Sequence, residues 1–353
     1  MRFFTAVSVF SLYLLFFLSC SHSPDANQPE IEAVEIDDVS VLLSAAEDDW
    51  MARPFSLFET DESLYLYDNG LNQIVRLGPG GEPMQEFGRE GEGPGEFRFI
   101  AGHWAFQDTL VLYDRPGGKV IHLHTDGTHI ADYSIDAGSL TLSLAALSPH
   151  KLILPASSDS LLTFTDLRDV ESTFSFGRAF ADTDGSIDIQ QAQSDAAAGR
   201  VPAFLQNQVL LSANRSGIFL FQQATAQLQK YSHSGQLIWE KSLRLPATEG
   251  VFEQFVENNK TLADMGRPNL LMLHFAHEIQ ATEAGIAVLM NTTEAHPVTI
   301  AHVSNDGKLF KTVTFPTLQN ETKPNRFWVS LPQKAVYMLH VAGGDIYRAP
   351  FPI

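Results

Sequence analysis

The chain has 353 residues, 44% hydrophobic and 18% charged, a globular composition long enough for two domains or one large β architecture. Its 23 basic and 42 acidic residues leave a net charge of −19, which repels phosphate backbones and argues against a nucleic-acid partner. The single cysteine excludes an intrachain disulfide and removes the cysteine sets of zinc fingers, iron–sulfur centres and two-thiol redox sites.

The N-terminus reads as an address. Met1 and Arg2 precede a mostly apolar run over residues 3–18, too short for the roughly 20 residues that span a bilayer core. That is the pattern of a signal peptide, expected over residues 1–19. The run ends in Phe17-Leu18-Ser19-Cys20, and Cys20 is the lone cysteine. This ending resembles the lipobox of bacterial lipoproteins, although Phe17 stands where the family prefers leucine. The resemblance implies that the Cys20 thiol is lipidated and becomes the mature N-terminus. An ordinary cleaved signal with an incidental cysteine is the alternative. Ser21, where some Gram-negative lipoproteins carry a retaining aspartate, implies the outer membrane of the bacterial envelope. Residues 20–30, rich in Ser, Pro, Asp, Asn and Gln, read as a flexible tether.

Beyond the tether the chain repeats. Unbroken apolar runs at 64–67, 110–113, 152–154, 218–221, 286–290 and 336–339 suit strands buried on both faces. Each follows tight-turn residues and, before those, another short strand, so each is the second strand of a hairpin. Leu64 to Gly81, Leu110 to Gly127, Leu152 to Asp169 and Ile218 to Gly235 are each 17 residues apart. From Ile286 to Gly307 the count is 21, with an insertion near 293–297. Glycine at four of these five points allows the positive φ of a two-residue hairpin, and a further strand follows. The pattern predicts six four-stranded antiparallel units, the blades of an all-β six-bladed β-propeller over residues 31–353. The sixth unit has room for only three strands before Ile353. The β-prone stretch 31–43 is expected to supply the missing outer strand and close the ring.

Residues 64–97 contain Leu-Tyr-Leu-Tyr-Asp, then Asn-Gln-Ile-Val, a Gly turn, and Phe-Gly-Arg-Glu-Gly-Glu-Gly-Pro-Gly-Glu-Phe. This segment resembles an NHL-type repeat, and its ending is similar to that of lipid-anchored six-bladed propellers of Gram-negative bacteria. Blade 2 keeps Tyr113-Asp114 and Asp126-Gly127; the later blades keep the frame without the signature. The resemblance implies fold and address rather than chemistry.

In such a blade the first-to-second and third-to-fourth turns share one face, and the blade-to-blade connections share the other. That second face, which also carries the second-to-third turns, holds all the length variation, with insertions at 177–203 and 246–270 in blade-to-blade connections. Long loops gathered on one face of a rigid scaffold mark a binding side. Phe252, Phe255, Val256, Leu262 and Met265 recur at helical spacing in the second insertion, and 187–198 gives a weaker helix pattern in the first. These helices would form either a lid over the channel mouth or plugs for their own loops.

Candidate ligand-contacting residues on this face are Asp68, Asn69, Asp114, Arg115 and Arg89, with Asp68 and Asp114 as channel candidates. The glycines of 88–97 resemble a phosphate cradle but lack the Lys-Ser/Thr ending and following helix, so they read as a blade connection. Asp182, Asp184, Ser186 and Asp188 alternate like a calcium loop, but Gly185 falls one place early and Gln193 stands where an acid is required. His122 and His124 share a strand face and are expected to point outward into solvent. His274 and His277 would lie on opposite faces if that stretch were a strand. No hydrolase or nucleotide motif is present, so neither a catalytic residue nor a cofactor is assigned. The sequence favours a lipid-anchored binder of a protein or small ligand, membrane-bound through its N-terminus. The competing reading is a metal-dependent propeller hydrolase or lyase that uses a divalent ion in the central channel.

Overall fold

The computed structural model describes residues 31–352 except 136–142, 157–159, 180–187, 268, 295, 317 and 319–322. Two strands, β1 (Ile31–Glu35) and β2 (Ser40–Ser44), precede the repeats. Blade 1 holds β3 (Pro54–Glu59), β4 (Leu64–Asp68), β5 (Gln73–Leu77) and β6 (Pro83–Phe87). Blade 2 holds β7 (Ile100–Phe106), β8 (Thr109–Asp114), β9 (Lys119–His124) and β10 (His129–Ser134). Blade 3 holds β11 (Ala145–Ser148), β12 (Lys151–Pro155), β13 (Ser160–Asp166) and β14 (Asp169–Arg178). Helices α1 (Ile189–Ala197) and α2 (Ala203–Gln206) lead to blade 4, with β15 (Val209–Asn214), β16 (Gly217–Gln222), β17 (Gln227–Tyr231) and β18 (Leu237–Ser242). Helix α3 (Val251–Asp264) leads to blade 5, with β19 (Ala276–Thr282), β20 (Gly285–Met290), β21 (Val298–Ser304) and β22 (Phe310–Phe315). Blade 6 has β23 (Arg326–Ser330), β24 (Ala335–His340) and β25 (Asp345–Pro350). The sheets are antiparallel meanders, as the repeat predicts, and the protein is an all-β six-bladed propeller.

The unbroken apolar runs follow from strand geometry. Successive side chains of a strand point to opposite faces, and a blade has a neighbour on each side. On β8, Leu110 and Leu112 pack with Tyr65 and Tyr67 of blade 1, while Val111 and Tyr113 pack with Leu152 and Leu154 of blade 3. On β16, Ile218 and Leu220 face blade 3, and Phe219 and Phe221 face blade 5. Both parities are therefore apolar. Six such clusters fill the six blade interfaces, each fully buried leucine or phenylalanine contributing about 1.5–3 kcal/mol. At the third-to-fourth turn of blade 2, Gly127 has φ 85°, and a Cβ there would collide with the Phe87 ring of blade 1. Glycine thus serves the turn and the blade contact together.

The ring closes through the N-terminal segment, with a division of labour that the repeat pattern did not foretell. β2 is the outer strand of blade 6, pairing antiparallel with β25 from Ser40↔Arg348 to Ser44↔Asp345. β1 instead adds a fifth strand to blade 5, parallel to β22, from Ile31↔Phe310 to Glu35↔Thr314. A short link over 36–39 separates the two, with Val39 N donating to Asp37 O. No helix among the described residues is long and apolar enough to cross a membrane.

Candidate functional site in the central channel

The inner strands β3, β7, β11, β15, β19 and β23 surround the channel, and their polar residues interrupt otherwise apolar walls. A cavity of about 260 Å³ is lined by His103, Ser212, His277, Glu278, Arg326 and Trp328, among others. Two consecutive residues of β19 reach it because the β19–β20 register shifts between Ala276 and Glu278. A bulge sets two residues against one and re-aims side chains, which brings both His277 and Glu278 to the channel.

Glu278 lies at the insertion-bearing end. Its Oε1 is 3.4 Å from Arg326 Nη1, and its Oε2 accepts from Phe327 N at 2.8 Å. It is not sealed off: 24% of its side chain is exposed. Burial raises its pKa, while the Arg326 charge and the Phe327 amide oppose that shift. The Arg326 guanidinium also sits 4.8 Å from the centre of the Phe55 ring. Burial lowers His277 to about 4, assisted by His274, Arg326 and Lys323. His103 stacks on Phe58 at 4.7 Å, and burial takes it to about 3. Both imidazoles are therefore neutral at pH 7. Towards the other end, Glu59 is pushed up by burial. Among the described residues no group of three or more His, Cys, Asp or Glu could hold a metal ion.

The residues singled out from the sequence lie elsewhere. Asp68, one strand out from the channel, accepts from Ala52 N at 2.7 Å, Arg53 N at 3.0 Å, Gly70 N at 2.7 Å and Leu71 N at 2.9 Å. It braces the entry to its own blade. Asp114 accepts from Phe99 N at 3.1 Å in the equivalent position of blade 2. Asn69 accepts from the Tyr67 hydroxyl at 3.2 Å, Arg115 N donates to Phe99 O at 3.2 Å, and Arg89 pairs with Glu96 at 2.5 Å. Together they organise the blade 1 to blade 2 connection, where Glu96 also accepts from Gly93 N.

The histidine expectation needs correction. His122 is 2% exposed rather than outward in solvent, because its strand face is covered by Tyr133 and His150, at ring distances of 4.9 and 5.0 Å. His124, beyond that cover, is exposed. His274 precedes β19, so the alternation assumed for it and His277 does not apply. Of the calcium-like residues, 182–186 lie outside the described residues. Asp188 caps α1 by accepting from Gln191 N, and Gln193 donates to Arg267 O at 2.8 Å and Asn269 O at 2.7 Å.

That last contact joins the two insertions. α1 and α3 pack together, and Ala196, Leu205, Val251 and Phe255 enter the same core as Phe219 and Phe221. The helices thus seat on blades 4 and 5, and neither lines the channel cavity. Between them lies a cleft of about 500 Å³ bordered by Gln190, Ser194, Ala197, Ala263 and Arg267.

Neither a protein-family model nor a curated protein matches the chain. Solved structures do. A protein of Bacteroides fragilis described as exported matches at 12% identity and TM-score 0.51, over 90% of this chain and 98% of that one. A member of the DUF4221 family from Bacteroides vulgatus matches at 11% identity and TM-score 0.50, over 90% and 95%. A catalytically inactive virginiamycin B lyase from Staphylococcus aureus, solved with quinupristin, matches at 11% and 0.47, over 84% and 80%. At these identities the likeness is one of fold alone.

Proposed function

We propose that this chain is an exported, lipid-tethered propeller of the bacterial envelope that binds a protein or small ligand on its insertion-bearing face. The observation that carries this reading is the joining of α1 and α3 through Gln193 into one platform. Loops from two different blade connections become a single rigid surface, which is what a binding side requires. The platform exposes Ile189, Met265, Leu271 and Met272, and Met265 is 62% exposed. Cys20, at the end of the apolar leader, is the acylation site in this reading, and Ser21 supports the outer membrane. The NHL-like segment of blade 1 supports kinship with lipid-anchored propellers.

The test uses the purified full chain, immobilised and exposed to envelope extract and to a metabolite pool. A Met265→Asp, Leu271→Asp variant should fold with unchanged melting and lose the bound species. Retention equal to wild type would remove the platform from the binding function.

A further inference from the structure

The inner strands run from the insertion face to the tight-turn face, so the residues ending them meet at the opposite mouth. There the channel opens into a cavity of about 880 Å³. It is continuous with the narrower part, since Glu59, Phe106, Ala213, Gln280 and Trp328 line both. This volume lies within the range of small-molecule sites, roughly 300–1,000 Å³.

The chemistry of this mouth differs from that of the other end. At the insertion end the channel carboxylate, Glu278, has its cation in Arg326. At the tight-turn end the channel carboxylate is Glu59. Its neighbours are the Ser330 hydroxyl and the Trp328 indole, and the charge beside it is Asp61, of its own sign. Asp108 also lines the cavity, and the guanidinium that does so, Arg215, is 91% exposed and directed 3.8 Å from Glu283. Phe106, Leu147 and Pro332 supply apolar wall. A half-buried carboxylate without a counter-charge is costly, and a cation placed against it relieves that cost. An indole beside it offers a π face to the same cation.

We propose that the tight-turn mouth is a second binding site, distinct from the α1–α3 platform, that takes an organic cation: a protonated amine or guanidinium on an apolar stem. The charged end meets Glu59, and the stem lies along Trp328 and Phe106. This site stands independently of the binding role assigned to the platform.

The experiment is calorimetric titration of the full chain in detergent with n-butylammonium, agmatine and a Gly-Lys-Gly peptide, with n-butanol as the neutral counterpart. Saturable binding of a cationic probe, absent for n-butanol, is expected. Glu59→Gln should weaken it about tenfold or more. In the wild-type chain binding should weaken as pH falls through the raised Glu59 pKa, which gives a readout that needs no variant. Peptide binding would assign the cation to a protein side chain; binding of the free amines alone would assign it to a small molecule. Failure of all three cations at millimolar concentration, or equal affinity in Glu59→Gln with a flat pH profile, would overturn the proposal.

Discussion

Gln280 of blade 5 clasps the backbone of Val329 in blade 6 with both ends of its amide. Nε2 donates to Val329 O at 3.0 Å, and Val329 N donates to Oε1 at 2.5 Å. Around the channel, Leu211 N donates to Ser143 Oγ at 2.7 Å and Ala281 N to Ser212 Oγ at 2.9 Å. Inner strands of neighbouring blades diverge too far to share a ladder, so side chains substitute for the missing partners.

Truncating Gln280 removes the side-chain partners of both the N–H and the C=O of Val329. Gln280→Ala should destabilise the fold by about 2–4 kcal/mol, read as a lower urea midpoint at unchanged slope. A change smaller than about 0.5 kcal/mol would show that the clasp does not hold blades 5 and 6 together.

Stability should fall in acid because several histidines are buried neutral. Burial lowers His302 and His122 to about 4, as it does His277, and takes His103 to about 3, whereas an unfolded chain titrates at 6.5. Below pH 6.5 the unfolded chain therefore binds protons that the folded chain cannot. Their contribution is full above pH 6.5 and is lost as pH drops towards 4. Glu278 and Glu59, raised by burial, act in the opposite sense: their protonated forms favour the folded chain, and that stabilisation is lost as pH rises through their folded pKa. His302 is a clean probe, 3% exposed, packed near Phe351 and close to the Lys311 charge. Replacing it with leucine should flatten the pH dependence of the urea midpoint by up to about 1.4 kcal/mol per pH unit between 4 and 6.5. Parallel wild-type and variant curves would refute the assignment.

Cys20→Ala should move the protein from the membrane pellet to the soluble fraction without altering its melting, because the lipid on that thiol would be its membrane anchor and 20–30 precede the first described strand. Continued sedimentation after a high-salt wash would exclude a lipid on Cys20.

Three truncations should rank in order. Removing 20–30 should leave melting unchanged. Removing 20–38 takes away β1 and its five paired residues on blade 5, and should cost a moderate amount. Removing 20–45 also takes away β2, including Leu43, which is 6% exposed between blades 6 and 1, and should cost several kcal/mol. Equal melting of the last two would show that β2 does not close the ring.

The repeat was legible because second strands are buried on both sides, so burial alone writes an unbroken run at each. Turn glycines gave the register, since few other residues adopt their φ. The helices of the insertions were legible from the spacing of Phe252, Phe255 and Val256. The channel was much less so. Glu59, His103 and Arg326 sit singly in first strands, with no spacing that ties them together before the ring forms. His277 and Glu278 share the channel through a register shift that adjacency in sequence does not announce. Asp68 and Asp114 drew notice as acids at the ends of apolar runs, but the amides of Arg53 and Phe99 that they receive belong to preceding connections. The burial of His122 is not legible in sequence because its cover, His150, comes from the next blade.

The parallel pairing of β1 fixes where the segment preceding Ile31 leaves the body. Ile31 lies beside Phe310, at the tight-turn end of β22 and on the outer edge of blade 5. The stretch 20–30 reaches at most about 35–40 Å. An acylated Cys20 would therefore moor the disc off-centre, by one point of its circumference. Because the exit lies on the tight-turn side, such a mooring would hold that mouth towards the bilayer and turn the insertion-bearing face away from it.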